Sequence, residues 1–553
     1  MEFPHECAEQ TFSRYYANRL AAHIVEQRPA IKQVFEQWKA KGPDSFMSAL
    51  EKNPELKSIV LAETPWVLDA KDDRQRKERI ALLFDLERMG GEEKAALKKL
   101  KEMQLPNGAW PWWSGMGESR YITEHIVAGL GHLEQLGAAD LREDGEVNAM
   151  LKKAVRWLDQ DLEREYRELK KHLTTEQEKN YRPGSDAVHW LYARSFHKHW
   201  YIDGATAPAF RFYRDRLAAT WLDHGLQEQA MLALVFQRFD MIDGHRILKS
   251  LKERATVSEE LGMYWKNFNG GSDWWSFPAE THALMIEAFH EVAKDADAVN
   301  SLRQYLLKLK QTTDWKTTKA TADACYALLL TGDDWLVEKA MPTIILGNVT
   351  LSPSKGTPGV EAGTGHFEQR WSGPEVKPNM SEVSVTTTRD GVQWGALHWQ
   401  YLERMDKVTP HESPFSIKKQ VLLTEQTDVG PKLVALNGPR ALKVGDLITI
   451  RMELRTDRYL DYVHLKDLRA ASLEPTEALS GYQYQGGLGY YQSIRDASMN
   501  FFFDRIAPGT YVFEYTLRVT HSGDFSNGIT TAQCMYAPEF SSHSEGVRVK
   551  VAE

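Results

Sequence analysis

A thiol and a carboxamide stand three positions apart in Cys7-Ala8-Glu9-Gln10, at the head of a helix-like run. Residues three apart share one side of a helical turn, so the Cys7 sulfur and the Gln10 side-chain carbonyl can meet. Their meeting allows an internal thioester: sulfur bonds to the acyl carbon and ammonia leaves. The product is an activated acyl group that persists only while water and amines are kept out. When an amine or hydroxyl reaches it, Gln10 becomes covalently linked and Cys7 leaves as thiolate. Glu9 completes the tetrapeptide, and the sequence leaves open whether it orients, protonates or caps the turn. Phe12, Tyr15 and Tyr16 are a candidate shield against water, or equally ordinary core, the reading favoured for bulky aromatics. Alone, four such residues describe an unreactive buried cysteine beside a helical glutamine, because free cysteine is commonly just buried.

The flanks decide between these. The run His5-Glu6-Cys7-Ala8-Glu9-Gln10-Thr11-Phe12-Ser13-Arg14-Tyr15-Tyr16-Ala17-Asn18 resembles the thioester segment of bacterial alpha-2-macroglobulins. Glu63 to Ala70 (ETPWVLDA), Gln104 to Trp113 (QLPNGAWPWW) and Ser119 to Leu130 (SRYITEHIVAGL) are similar to the thioester domain beyond that site. Tyr511 to Val519 and Met535 to Phe540 (MYAPEF) resemble the C-terminal macroglobulin-type β domain. The resemblance covers nearly the whole chain in order. It implies a multidomain protein, α then β. Residues 1–340 would be a thioester α/α toroid of the terpenoid-cyclase-like kind, 341–410 the C-terminal half of a split CUB-like β domain, and 411–553 a β-sandwich. It further implies a protease inhibitor rather than an enzyme, with proteases as covalent targets and the other macroglobulin domains as partners. The setting would be periplasmic, cell-envelope or extracellular. Tyr536 would help shield the thioester. The upstream macroglobulin domains, the bait segment and the first half of the split domain have no counterpart here. The expectation is therefore a C-terminal portion whose thioester lacks part of its guard.

Composition is consistent with this. The chain has 553 residues, 42% hydrophobic and 26% charged, enough for more than one core. A formal charge of −9 argues against a broad attraction to nucleic acid. No window approaches the roughly 20 apolar residues that span a bilayer. The start, MEFPHECAEQ, lacks the basic-then-apolar order of a signal peptide. The other two cysteines, Cys325 in ADACYALLL and Cys534 in TTAQCMYAPEF, read as packing.

Up to about Met341 the apolar residues recur at helical spacing, as in Ile80, Leu83, Phe84 and Met89, with stops such as Gly90-Gly91 and Asp203-Gly204. A degenerate repeat runs through this half. WWSFPAETHALMIEAF and DWKTTKATADACYALL are offset by forty positions, and Trp113 with Thr123 begins an earlier copy. Such a period fits stacked helix pairs, the tryptophan sealing a loop and the threonine (Thr123, Thr281, Thr321) opening the next helix. Periodicity alone fits an open solenoid as well as a closed ring. The charged run Lys152–Lys179 reads as one helix with a solvated face. Beyond Met341 alternation takes over: Ile448, Ile450, Met452 and Leu454 share one face of a strand, as do Tyr511, Phe513, Tyr515, Leu517 and Val519.

No cofactor or metal is indicated. His197 and His199 are two apart, which does not bring both rings to one helix face, and no ligand partners follow at zinc-like spacing. Gly486-Gly487-Leu488-Gly489 lies between strand-like segments, not at a strand-to-helix junction. No histidine aligns with the acyl-carrying histidine of some complement relatives; His5, His125 and His189 read as structural. Two alternatives stay open. An α/α-toroid polysaccharide-degrading enzyme would stack sugars on Trp110, Trp112, Trp274 and Trp275. A scaffold with an inactive thioester would only bind.

Overall fold

A computed structural model describes residues 6–27, 86–241, 243–266, 278–313, 315, 317–332, 342–353, 367–387, 395, 397, 399, 403–412, 414–436, 441–477, 479–485, 487–535, 537 and 540–553. Trp274 and Trp275 and the ETPWVLDA segment lie outside them, as do His5 and Tyr536.

The helical unit follows from the 3.6-residue periodicity. Its helices are α1 (Ala8–Gln27), α2 (Leu86–Met103), α3 (Arg120–Gln135), α4 (Gly145–His172), α5 (Thr175–Asn180), α6 (Ser185–Ser195), α7 (Ala207–Thr220), α8 (Leu226–Arg238), α9 (Asp243–Glu253), α10 (Pro278–Ala288), α11 (Ala296–Thr312) and α12 (Thr318–Thr331). Helices α1, α3, α6, α8, α10 and α12 pack each against the next, and α12 returns to α1. That closure makes the helical half a toroid and not an open solenoid. Outside the ring, α2 packs on α1, α4 on α3, α7 on α4 and α6, and α9 on α8. Because an outer helix intervenes between successive inner ones, the inner helices run the same way. Their starts meet: Thr318 bonds Glu9, Thr317 bonds Glu280, Arg120 bonds the Asp186 carbonyl and Ser185 bonds Glu228.

Three local expectations change. Gly90-Gly91, read as a helix stop, lies inside α2. The repeat threonines sit inside the first turns of their helices instead of opening them. Ser119 caps α3 and Thr317 caps α12, and Thr123 bonds back to the Ser119 carbonyl from four residues on. The charged run is not one helix either. The α4 helix ends at His172, and Thr174 forms a capping box with Gln177 that starts α5.

The same unit holds a small antiparallel sheet, β4-β3-β5, from β3 (Thr343–Leu346), β4 (Val349–Leu351) and β5 (Val383–Thr386). A short hairpin, β1 (Thr256–Ser258) with β2 (Gly262–Tyr264), follows α9.

The second unit is a β-sandwich. One antiparallel sheet is β10-β14-β8-β6-β7, built from β6 (Phe415–Thr427), β7 (Gly430–Ala435), β8 (Leu447–Thr456), β10 (Leu473–Pro475) and β14 (Gly509–Val519). The other is β11-β12-β13-β9-β16-β17, built from β9 (Leu460–Leu468), β11 (Gly481–Gln485), β12 (Leu488–Arg495), β13 (Ser498–Ile506), β16 (Thr530–Cys534) and β17 (Ser541–His543). A two-stranded ribbon pairs β15 (Gly523–Gly528) with β18 (Val547–Val551). The alternating faces read from sequence meet in its core: Ile448, Ile450, Met452 and Leu454 pack with Phe501, Phe503 and Phe513. Cys534 is buried there, whereas Cys325 is half-buried at the edge of the helical core and not fully enclosed.

Candidate functional site

Cys7 lies one residue before α1 and is 6% exposed. A helix start leaves backbone N–H groups without partners inside the helix, and here the reactive pair uses them. The Gln10 N–H donates to Cys7 Sγ at 3.4 Å, and the Cys7 N–H donates to Gln10 Oε1 at 3.2 Å. Thiol and carboxamide are thus folded over one turn, each held by the other residue's backbone. The Thr11 N–H and Oγ1 both donate to the Cys7 carbonyl, at 3.0 and 2.9 Å, and the Ala8 N–H donates to the Trp112 carbonyl at 2.9 Å. Burial is the main cause that pushes the Cys7 thiol up from its ordinary value; the Gln10 N–H acts against it and the nearby Glu9 charge adds to it.

Glu9 is buried and held on its far side: Ser13 Oγ and Thr318 Oγ1 donate to Glu9 Oε1 at 2.8 and 2.7 Å. Sequence reasoning missed both hydroxyls. Ser13 carried a signal, being one helical turn beyond Glu9, but Thr318 belongs to the last helix of the ring and offered none. Glu6, ahead of the pair, is bridged by Lys99 at 2.8 Å and Arg14 at 3.0 Å, which fastens the entry of α1 to α2.

The aromatic residues after the motif are buried. Phe12 and Tyr16 face the ring interior, with Phe12 5.5 Å from the His125 ring, edge to face. Tyr15 lies within electrostatic reach of Glu93 and Arg19, and burial first, then Glu93, pushes its phenol up to about 12. An aromatic column runs from Trp112 through Tyr121 to His125, with centroids 5.9 and 6.4 Å apart. Trp110 is buried with its Nε1 donating to the Leu100 carbonyl at 2.8 Å, so it is core and has no face for a sugar.

The ring encloses a cavity of about 90 Å³ reached by all six inner helices. Its wall carries Glu124, His125, His189, Glu280, Lys319 and Asp323. A set of acids and bases in a toroid is what a polysaccharide-degrading enzyme would need. The volume is below the roughly 300 Å³ at which ligand pockets for molecules of that size begin. Burial lowers both His125 and His189 to about 4, so both rings are neutral at pH 7. His197, the other histidine weighed from sequence, is buried, and its Nε2 donates to the Val127 carbonyl at 3.0 Å.

Comparison with known proteins adds the following. Residues 415–539 match the family model of the bacterial alpha-2-macroglobulin MG10 domain. A curated alpha-2-macroglobulin homolog from Nostoc sp. is 25% identical over 281 residues, covering 48% of this chain and 14% of its own length. The chain thus spans a small part of that relative. Among solved structures, trypsin-activated alpha-2-macroglobulin from Escherichia coli is 13% identical with a TM-score of 0.44, covering all of this chain and 32% of its own. A Salmonella alpha-2-macroglobulin reacted with methylamine is 14% identical with a TM-score of 0.34, covering all of this chain and 30% of its own.

Proposed function

From its membership of the bacterial alpha-2-macroglobulin family, we propose that this chain carries the covalent trapping centre of a protease inhibitor, an internal thioester joining Cys7 Sγ to Gln10 Cδ. The observation that carries the reading is the pairing of the two side chains over one turn, with the Cys7 N–H 3.2 Å from Gln10 Oε1. Sulfur adds to the carboxamide carbon, the carbonyl oxygen takes up negative charge, and ammonia then leaves. The Cys7 N–H is aimed at the oxygen on which that charge develops, the arrangement that stabilises tetrahedral acyl intermediates. The same donor serves the reverse sense. An amine of an attacking protease adds to the acyl carbon, the C–S bond breaks, and the sulfur leaves as thiolate and picks up a proton.

Burial favours the neutral thioester over a released thiolate, as the upward push on Cys7 expresses. Exposure of the site would remove that penalty and make the sulfur a better leaving group. The centre is consumed by its own reaction, so this reading is of a trap and not a turnover enzyme, working outside the cytoplasm. Proteases are the partners that this reading proposes. Trapping by the whole protein is proposed on the same footing.

Intact-mass measurement tests the bond. The expected result is a chain lighter by one ammonia, with one thiol at Cys7 released by methylamine. A full mass with Cys7 already free would sink thioester retention in this chain.

A further inference from the structure

Three polar atoms facing the ring cavity have no hydrogen-bond partner among the described residues: Glu280 Oε2, Tyr16 Oη and His125 Nε2. Glu280 is 1% exposed and Tyr16 3% exposed, so water outside the protein does not satisfy them. Buried polar groups left unpaired cost roughly 1–3 kcal/mol each, which makes three around one cavity a chemical statement about its contents. We propose that the cavity is a binding site for a small primary ammonium ion.

Each of the three atoms can accept. The Glu280 carboxylate has only lone pairs to offer, the neutral His125 ring can present Nε2 as an acceptor, and the Tyr16 oxygen can accept as well. An alkylammonium head has three N–H donors and no acceptor, which matches that set. The walls suit it too, because Phe12, Tyr16 and Tyr121 surround the space with aromatic rings, whose faces attract cations. The other Glu280 oxygen, Oε1, is already taken by Thr317. Lys319 is the cation already present, but its Nζ is bonded to Asp323 at 2.6 Å and leaves Glu280 Oε2 unpaired. Burial is the chief cause of the rise of Glu280 to about 7, opposed by Lys319 and reinforced by Asp323, and a cation at Oε2 would offset that cost. The cavity, about 90 Å³, is well above the roughly 10–15 Å³ that one water requires and too small for a sugar ring. An ion of the size of ammonium or ethylammonium fits it.

This site is independent of the thioester and goes beyond it, so the test is made where no thioester can form. The C7A chain is titrated calorimetrically at pH 8 with ethylammonium chloride, with sodium chloride and tetramethylammonium chloride as controls. Tetramethylammonium keeps the charge but has no N–H donor. The expected result is saturable binding of ethylammonium alone, weakened at least tenfold in C7A/E280Q and several-fold in C7A/Y16F. Absence of saturable binding in C7A overturns the proposal and leaves a cavity holding water only. Undiminished affinity in C7A/E280Q overturns it too. Should that variant not fold, undiminished affinity in C7A/Y16F does the same. None of these outcomes bears on the mass of the wild-type chain, so the two readings fail separately.

Discussion

At the scale of residues, the reactive pair is held by backbone and the acid between them by side chains. Cys7 and Gln10 exchange two N–H donors within one turn. Glu9 is turned away toward Ser13 and Thr318, which fixes the first turn of α1 against the start of α12. Replacing Thr318 by valine keeps the shape but removes one donor from a buried carboxylate, which costs about 1–3 kcal/mol. The T318V chain should unfold at correspondingly lower denaturant in equilibrium melts, and a change within error would show that Glu9 is not anchored there. How far the site was legible follows from the same residues. The Cys7–Gln10 encounter is local, three positions along a helix, so spacing alone announced it. Thr318 lies 309 positions from Glu9. Only closure of the ring brings them together, and no local pattern encodes closure. The acceptors of the cavity, on α1, α3 and α10, were hidden for the same reason.

At the scale of elements, the ring is tied at the starts of its inner helices. Glu9, Asp186, Glu228 and Glu280 sit in the first turns of α1, α6, α8 and α10, where a carboxylate complements the partial positive charge of the helix end. Hydroxyls at neighbouring starts then bond three of them: Thr318 to Glu9, Ser185 to Glu228 and Thr317 to Glu280. The forty-residue repeat showed that helices would stack in pairs; these ties supply the reason they close. Close approach between α1 and α3 is set by Gly129, where an added Cβ would meet Phe12 Cε1 at 2.4 Å. In an exposed helix, glycine to alanine gains about 1 kcal/mol from propensity. Here the gain is outweighed, since the buried Phe12 ring must shift from its packed position, at roughly 1–3 kcal/mol. The G129A chain should therefore be less stable than wild type by thermal melting. A rise in midpoint would mean that Phe12 has room to move.

At the scale of the whole molecule, each unit buries polar groups that its own core must satisfy. In the sandwich, Lys419 of β6 and Asp467 of β9 join the two sheets, both with fully buried side chains, Nζ to Oδ1 at 2.7 Å. Lys419 Nζ also donates to the Leu468 and Asn527 carbonyls, and Tyr515 and Thr530 donate to Asp467. Removing one partner leaves a charge without compensation. K419M should cost about 3–5 kcal/mol, and K419M/D467N should recover at least half of that, because neutrality returns while an acceptor oxygen stays. Equal losses in denaturant melts of the two variants would show that packing, not charge, sets the cost.

Buried histidines set the response of both units to acid. His197 and His282 in the helical unit and His464 in the sandwich are buried, and in each burial is the main cause that lowers the ring to about 4. Their ring nitrogens bond the Val127 and Leu302 carbonyls and Asn500 Oδ1 at 3.0, 2.9 and 3.0 Å. The unfolded chain takes up these protons near pH 6.5 and the folded chain only near 4. Between those values the unfolded state holds more protons, so stability falls as pH falls. At pH 5 each ring contributes a loss of up to roughly 2 kcal/mol, at about 1.4 kcal/mol per pH unit. Glu280 works in the opposite direction, since its folded value is raised to about 7: its contribution is whole below about pH 4.5 and lost as pH rises through 7. Between pH 6.5 and 5 the lowered rings, with His125, His132 and His189 added, outnumber the raised acids Glu124, Asp159, Glu280 and Glu287, six against four. Unfolding midpoints should therefore drop from pH 7 to pH 5, with the imidazole resonances of His197, His282 and His464 staying those of neutral rings throughout. Protonation of these rings near pH 6.5 in the folded chain would refute the account, because rings that titrate alike folded and unfolded add no pH dependence to stability.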